Sequence, residues 1–244
     1  MTLLILGGTG EARRLATDLA GYDAVISLAG ATRDPAGLDL PTRVGGFGGA
    51  EGFLEYVSAS GITAVLDATH PYAHRITERT AQICKQTELP YLQYLRAPWV
   101  AQDGDHWTEI QAEEDAASLI PAGATVFLGT GRQTLARFAN LTGFRVICRQ
   151  IDPPKGPFPF PGGEYLIGRP PFSVDDEMQL FSRLGVDWLV VKNAGGAASA
   201  TKLTAARLLG LPVAMIARPP QGEWPVTNDL AKATEWAKAQ CRNG

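Results

Sequence analysis

Leu3-Leu4-Ile5-Leu6-Gly7-Gly8-Thr9-Gly10-Glu11-Ala12-Arg13 is the stretch from which the rest of the chain is read. Four consecutive apolar residues form a segment short enough for a buried strand. Three glycines in four positions then demand a tight turn, and Glu11-Ala12-Arg13 opens a run of helix formers. A strand, a glycine turn and a helix start in that order bring backbone N–H groups and the positive end of a helix dipole to one point, which suits a phosphate. The spacing is imperfect. The dinucleotide fingerprint wants glycines at relative positions one, three and six. Gly8 and Gly10 fill the first two, and Arg13 stands at the third. The turn therefore admits two readings, a phosphate cradle and a plain tight strand–helix connection.

Outward from this turn, strands and helices alternate. Residues 24–28, 62–66 and 89–95 read as strands and 42–44 as a short one, with helices over 12–19, 51–60 and 73–87. A polar connection at 97–106 is the best domain boundary, giving domains 1–97 and 98–244. Beyond it, strands are expected at 107–110, 125–128, 144–149, 188–192 and 213–216, and helices at 113–119, 133–139, 173–184, 202–209 and 229–240. Ser173 with Asp176 three positions on marks one helix start. The fold class this predicts is α/β: two Rossmann-like domains, each a mainly parallel sheet flanked by helices. Two segments are irregular. Gly45-Gly46-Phe47-Gly48-Gly49 implies either mobility or close backbone approach, and the proline- and glycine-rich run 152–169, interrupted by aromatic residues, reads as an ordered lid or wall.

Bulk properties narrow the function classes. The 244 residues carry a net charge of −3, which gives no electrostatic reason to expect nucleic acid or anionic lipid as partner. Cys84, Cys148 and Cys241 are too few and too scattered for a disulfide framework or a structural zinc site, and point to a reducing compartment. With no basic-then-apolar leader and no long apolar run, a cytoplasmic, soluble protein is expected, with no obligate protein partner evident.

Candidate site residues gather at strand exits, where open α/β sheets bind ligands. After the second strand no acidic residue stands ready for a free ribose hydroxyl; Thr32 and Arg33 follow instead, which suits the 2′-phosphate of NADPH, against the alternative of a solvated loop arginine. The strand at 62–66 leads into Asp67-Ala68-Thr69-His70-Pro71-Tyr72-Ala73-His74, which holds two of the three histidines. His70 suits a substrate-facing or acid–base role, or a turn role. Pro71 between the histidines and the lack of an acidic partner argue against a metal. Arg132, Arg149, Arg169, Lys192, Asn193, Lys202 and Arg218 fall at strand exits of the second half. On this reading the two domains face each other across a cleft lined with cations, fit for a large anionic ligand.

In this order, Gly7-Gly8-Thr9-Gly10-Glu11-Ala12-Arg13, the Asp67–Ala73 block, Lys192-Asn193-Ala194-Gly195-Gly196, Lys202-Leu203-Thr204-Ala205-Ala206-Arg207 and Pro212-Val213-Ala214-Met215-Ile216-Ala217-Arg218-Pro219 resemble the precorrin-6A reductase family of vitamin B12 corrin-ring synthesis. The likeness spans nearly the whole chain. It implies an NADPH-dependent oxidoreductase with the active site in the interdomain cleft. Hydride would go to a ring carbon of an anionic tetrapyrrole and a proton to a neighbour, giving precorrin-6B or its cobalt-containing counterpart. On this resemblance Gly8, Thr9, Gly10, Glu11, Arg33 and Thr69 are expected at the cofactor. Arg132, Lys192, Asn193 and Arg218 are expected at substrate carboxylates or the pyrophosphate. His70 or Lys202 would orient the macrocycle or assist protonation, with water as the competing proton source. No metal is expected. Two other classes stay open, a nucleotide-sugar or phosphosugar enzyme with paired Rossmann-like domains and a non-catalytic NADPH-sensing protein.

Overall fold

Residues 1–30, 37–154 and 156–241 are described in a computed structural model. The chain opens with β1 (Thr2–Leu6), α1 (Gly10–Asp18), β2 (Ala24–Leu28), β3 (Thr42–Val44), α2 (Ala50–Ala59), β4 (Ile62–Asp67), α3 (His74–Gln86) and β5 (Tyr91–Tyr94). It continues through β6 (Trp107–Ile110), α4 (Ala116–Leu119), β7 (Thr125–Leu128), β8 (Arg145–Gln150), β9 (Gly163–Ile167), α5 (Val174–Leu184), β10 (Trp188–Lys192), α6 (Thr201–Leu208) and β11 (Val213–Ile216). It ends with β12 (Val226–Thr227) and α7 (Leu230–Gln240). Two compact units result, Met1–Ala97 with Pro219–Gly244, and Pro98–Arg218.

Each unit is built on one six-stranded sheet, in the orders β12-β5-β4-β1-β2-β3 and β6-β11-β10-β7-β8-β9. Every strand pairing is parallel. Both are doubly wound. From β1 in the first sheet and from β7 in the second, the chain runs out from the middle to one side, then returns to build the other, so the order reverses between β1 and β4 and between β7 and β10.

The unbroken apolar run of β1 is what a parallel strand covered on both faces requires. Leu3 and Ile5 point into a core with Leu15, Ala16 and Leu19 of the α1 side and Ala233 and Ala237 of α7. Leu4 and Leu6 point into the opposite core with Phe53 of α2 and Ala81, Ile83 and Cys84 of α3. In the second unit, Phe127, Leu189, Val191, Val213 and Met215 pack on Phe181 of α5 and Leu203, Ala205 and Ala206 of α6. Among the described residues, no helix is long and apolar enough to cross a membrane.

Three details differ from the sequence reading, and a fourth decides between its two alternatives. Residues 219–244, expected with the second domain, supply β12 and α7 to the first sheet and its core. Val226 and Thr227 pair with Gln93 and Tyr94 there. The sixth strand of each sheet thus stands out of chain order: β6 precedes the rest of its sheet, and β12 follows the whole second unit. Second, the run 152–169 is no lid throughout; β9 follows β8 in register from Val146↔Gly163 to Gln150↔Ile167. Third, the helix expected at 133–139 is only a single 3-10 turn, Leu135–Phe138. Its buried residues, Leu135 and Phe138, are three apart, a spacing that fits either helix type. Finally, the Gly45–Gly49 run is folded around a side chain. The Arg43 guanidinium lies 4.0 Å from the Phe47 ring centroid and 5.1 Å from that of Tyr56. It donates to the Gly46 carbonyl at 2.7 Å. Gly48 and Gly49, at φ +80° and +108°, turn the chain into α2.

Candidate active site

The opening glycines of the first unit have three separate physical reasons. A side chain at Gly7 would come within 2.9 Å of Ile26 Cδ1, so this glycine lets the turn pack on β2. Gly8 has φ +119°, a backbone state that disfavours any Cβ. Gly10 has neither cause: its φ is ordinary and nothing lies within 4 Å of where a Cβ would be. Its bareness instead keeps the approach to the start of α1 clear. Thr9 is the N-cap of that helix; its hydroxyl accepts from the Ala12 N–H at 3.0 Å and donates to the Ala68 carbonyl at 2.9 Å. The Arg13 N–H reaches the Thr9 carbonyl. The N–H groups of Gly10 and Glu11 belong to the first turn, where no intrahelical carbonyl reaches them. The Glu11 carboxylate pairs with Arg96 at 2.8 Å, the two side chains being 20% and 14% exposed.

The exit of β4 is set by a buried carboxylate. Asp67 is fully buried and accepts from the Thr69 N–H at 2.9 Å and from the Tyr91 hydroxyl at 3.1 Å. The Thr69 hydroxyl meets that of Thr77 at 3.3 Å. His70 is exposed; its Nδ1 accepts from the Tyr72 N–H at 3.3 Å. His74 is the first residue of α3. Arg33 lies outside the described residues.

Beneath this exit, burial, with Asp67 adding to it, pushes the Cys84 thiol up to about 12 from 9.0. The Tyr91 phenol is raised by the same two causes. The folded state therefore favours the neutral thiol. Its contribution to stability is fully present below the unfolded value of 9.0 and is lost as pH rises towards about 12. We expect a thermal midpoint that falls across that window, and less steeply in Cys84→Ala. A slope unchanged by the substitution would contradict the assignment.

In the second unit, the corresponding exits belong to β7 and β10. Gly129 leaves room for two neighbours: a Cβ there would lie 3.1 Å from Val191 Cγ1 and 3.4 Å from Lys202 Cδ. Lys202 donates to the Ser199 carbonyl, and its Nζ stands 5.6 Å from the Trp99 ring centroid. Lys192 donates to the Thr134 hydroxyl at 2.9 Å and lies 3.3 Å from the buried Glu113, which also pairs with Arg137. Asn193 clasps the Trp99 backbone, accepting from its N–H at 2.8 Å and donating to its carbonyl at 3.1 Å. Arg218 donates to the carbonyls of Asn193 and Ala194 at 2.7 and 3.0 Å. Arg132 is exposed. Arg149, counted among the cations of a cleft from its place at a strand end, lies within β8 and is instead a largely covered partner of the buried Glu177.

The structure thus gathers Gly8, Thr9, Gly10, Glu11 and Thr69 at the carboxyl ends of β1 and β4, and Lys202, Asn193 and Arg218 around Trp99 beyond the ends of β10 and β11. Lys192 is drawn towards Glu113. Arg96, Asp67 and Trp99 were missed as functional candidates. Arg96 carried the same signal as the chosen cations, a basic residue just past a strand.

A family model described as precorrin-6x reductase CbiJ/CobK matches residues 2–238. A precorrin-6A reductase of Rhodobacter capsulatus is 44% identical over 89% of this chain and 88% of that protein. One from Rhodococcus erythropolis is 44% identical over 96% of each. A solved structure described as CobK precorrin-6A reductase superposes with a TM-score of 0.93 at 41% identity, covering 98% of this chain and 97% of its own. Proteins described as cobalt-precorrin-6A reductases are more distant, at 28% identity in Priestia megaterium and 24% in Synechocystis.

Proposed function

Because the chain belongs to the precorrin-6x reductase family, we propose that it reduces one double bond of the precorrin-6A macrocycle with NADPH, giving precorrin-6B. The observation that carries this reading is the family match over residues 2–238. The metal-free substrate is favoured over the cobalt form by the gap in identity, 44% against 28% or less.

Features of the first unit support placing the cofactor there. Gly8 turns the chain, Gly10 leaves the helix start uncovered, and the Gly10 and Glu11 N–H groups stand at the positive end of α1, a combination suited to a phosphate. Thr9 holds this loop to the β4 exit and Asp67 holds Thr69 beside it. Arg33 is the proposed partner of the 2′-phosphate. When bound, the reduced nicotinamide supplies the hydride. Lys202 and His70 are the proposed proton-handling or orienting groups. Arg132, which is exposed, is proposed to meet substrate carboxylates directly, and Lys192, held by Glu113 and Thr134, to add positive charge beside them. For Asn193 and Arg218, bound to backbone at the β10 exit, we propose that they act by shaping that exit.

The test is loss of reduced-nicotinamide absorbance on mixing the protein with NADPH and precorrin-6A, with product identified by mass. Turnover that depends on the macrocycle is expected. Its absence would return the field to an NADPH-binding protein without chemistry or a phosphosugar enzyme. Turnover with cobalt-precorrin-6A alone would correct the substrate.

A further inference from the structure

An acidic residue is an odd occupant of a phosphate-binding turn. Glu11 sits at the second position of α1, where the helix dipole favours its carboxylate and where the same N–H groups would serve an anionic ligand. Left to itself, such a carboxylate competes for those donors and repels the incoming charge. Arg96, just past β5, takes it at 2.8 Å. The strand order β5-β4-β1 puts the exit of β4 between the two residues, so the pair spans that exit. Largely covered side chains, at 14% and 20% exposure, make this contact less screened than a surface pair.

Resting on the NADPH reading above, we propose that Arg96 is a positioning residue that keeps the phosphate site open by neutralising Glu11 and drawing its carboxylate towards β5. Arg96 in this role needs no contact with the cofactor. Its worth to binding is the removal of a built-in competitor. The consequence is a sign that a plain structural clamp lacks: the two residues are unequal. Losing Arg96 unmasks the negative charge, whereas losing the charge of Glu11 removes the reason for Arg96.

The experiment is a fluorescence titration of NADPH onto the full chain, without substrate. Arg96→Met is expected to raise Kd about thirty-fold, the scale of one unit charge several ångströms from a phosphate in a partly screened cleft. Glu11→Gln, which removes the carboxylate but keeps the backbone N–H groups, sets the reference, and adding Arg96→Met to it should raise Kd by no more than about three-fold. Arg96→Lys, which keeps the charge, should bind nearly as the unsubstituted chain does and covers the case in which the methionine variant does not fold. The inference is overturned if the double variant stays as weak as Arg96→Met, or if Glu11→Gln or Arg96→Lys is equally weak. Failure of the unsubstituted chain to bind NADPH would overturn the cofactor reading itself, and this inference with it.

Discussion

Glu177→Ala is expected to lower the stability of the second unit by about 3–5 kcal/mol, the scale for breaking a buried ion pair from one side. The carboxylate takes both terminal nitrogens of Arg149 at 2.7 Å each. The two side chains are 1% and 9% exposed. The guanidinium also lies between two rings, 4.3 Å from Phe172 and 5.2 Å from Phe127. Removing the acid leaves a largely covered charge that cannot deprotonate. Replacing both partners, as in Arg149→Met with Glu177→Leu, removes the unpaired charge along with the pair and should be close to neutral. Denaturant titration followed by tryptophan fluorescence separates these outcomes. A loss below about 1 kcal/mol in Glu177→Ala would show that the guanidinium finds solvent, as surface pairs do.

That pair also marks where reading the sequence stops. Chain position tells that Arg149 stands at the end of a strand; it does not tell which face the side chain takes, and the face decides between a cleft and a core. Glu113 is the same case with opposite charge: an acid at a helix start looks solvated, yet it is buried between Lys192 and Arg137. The doubly wound architecture was legible because it rests on long-lived local signals, apolar strands closed by glycine turns. β12 was not, since two residues among Pro219, Pro220, Gly222 and Pro225 carry no period, and its place beside β5 is decided by pairing across more than half the chain. The glycine turn at 7–10 was legible as a turn, but its three glycines look alike in sequence. Only packing distinguishes Gly7, which yields to Ile26, from Gly10, which yields to nothing in the protein.

Lys202→Met is expected to lower kcat by about 10²–10³-fold under the proposed reduction, within the range that a positioned proton donor contributes. Lys192 is tied to a buried carboxylate and a hydroxyl on its own unit. Lys202 donates to the Ser199 carbonyl, and its Nζ stands 5.6 Å from the Trp99 ring centroid, at the exit of β10. An ammonium held this way can serve as proton donor or as a fixed charge for a substrate carboxylate. Lys202→Arg separates the two: arginine keeps the charge but does not give up its proton. Loss of kcat in both variants assigns the proton to Lys202. Rescue by arginine, with the defect of Lys202→Met falling mainly on KM, makes it an orienting charge and leaves His70 as the candidate proton donor. His70→Gln then takes the fall in kcat. If neither Lys202→Met nor His70→Gln changes kcat, water supplies the proton, and a solvent isotope effect that persists in both variants would say so.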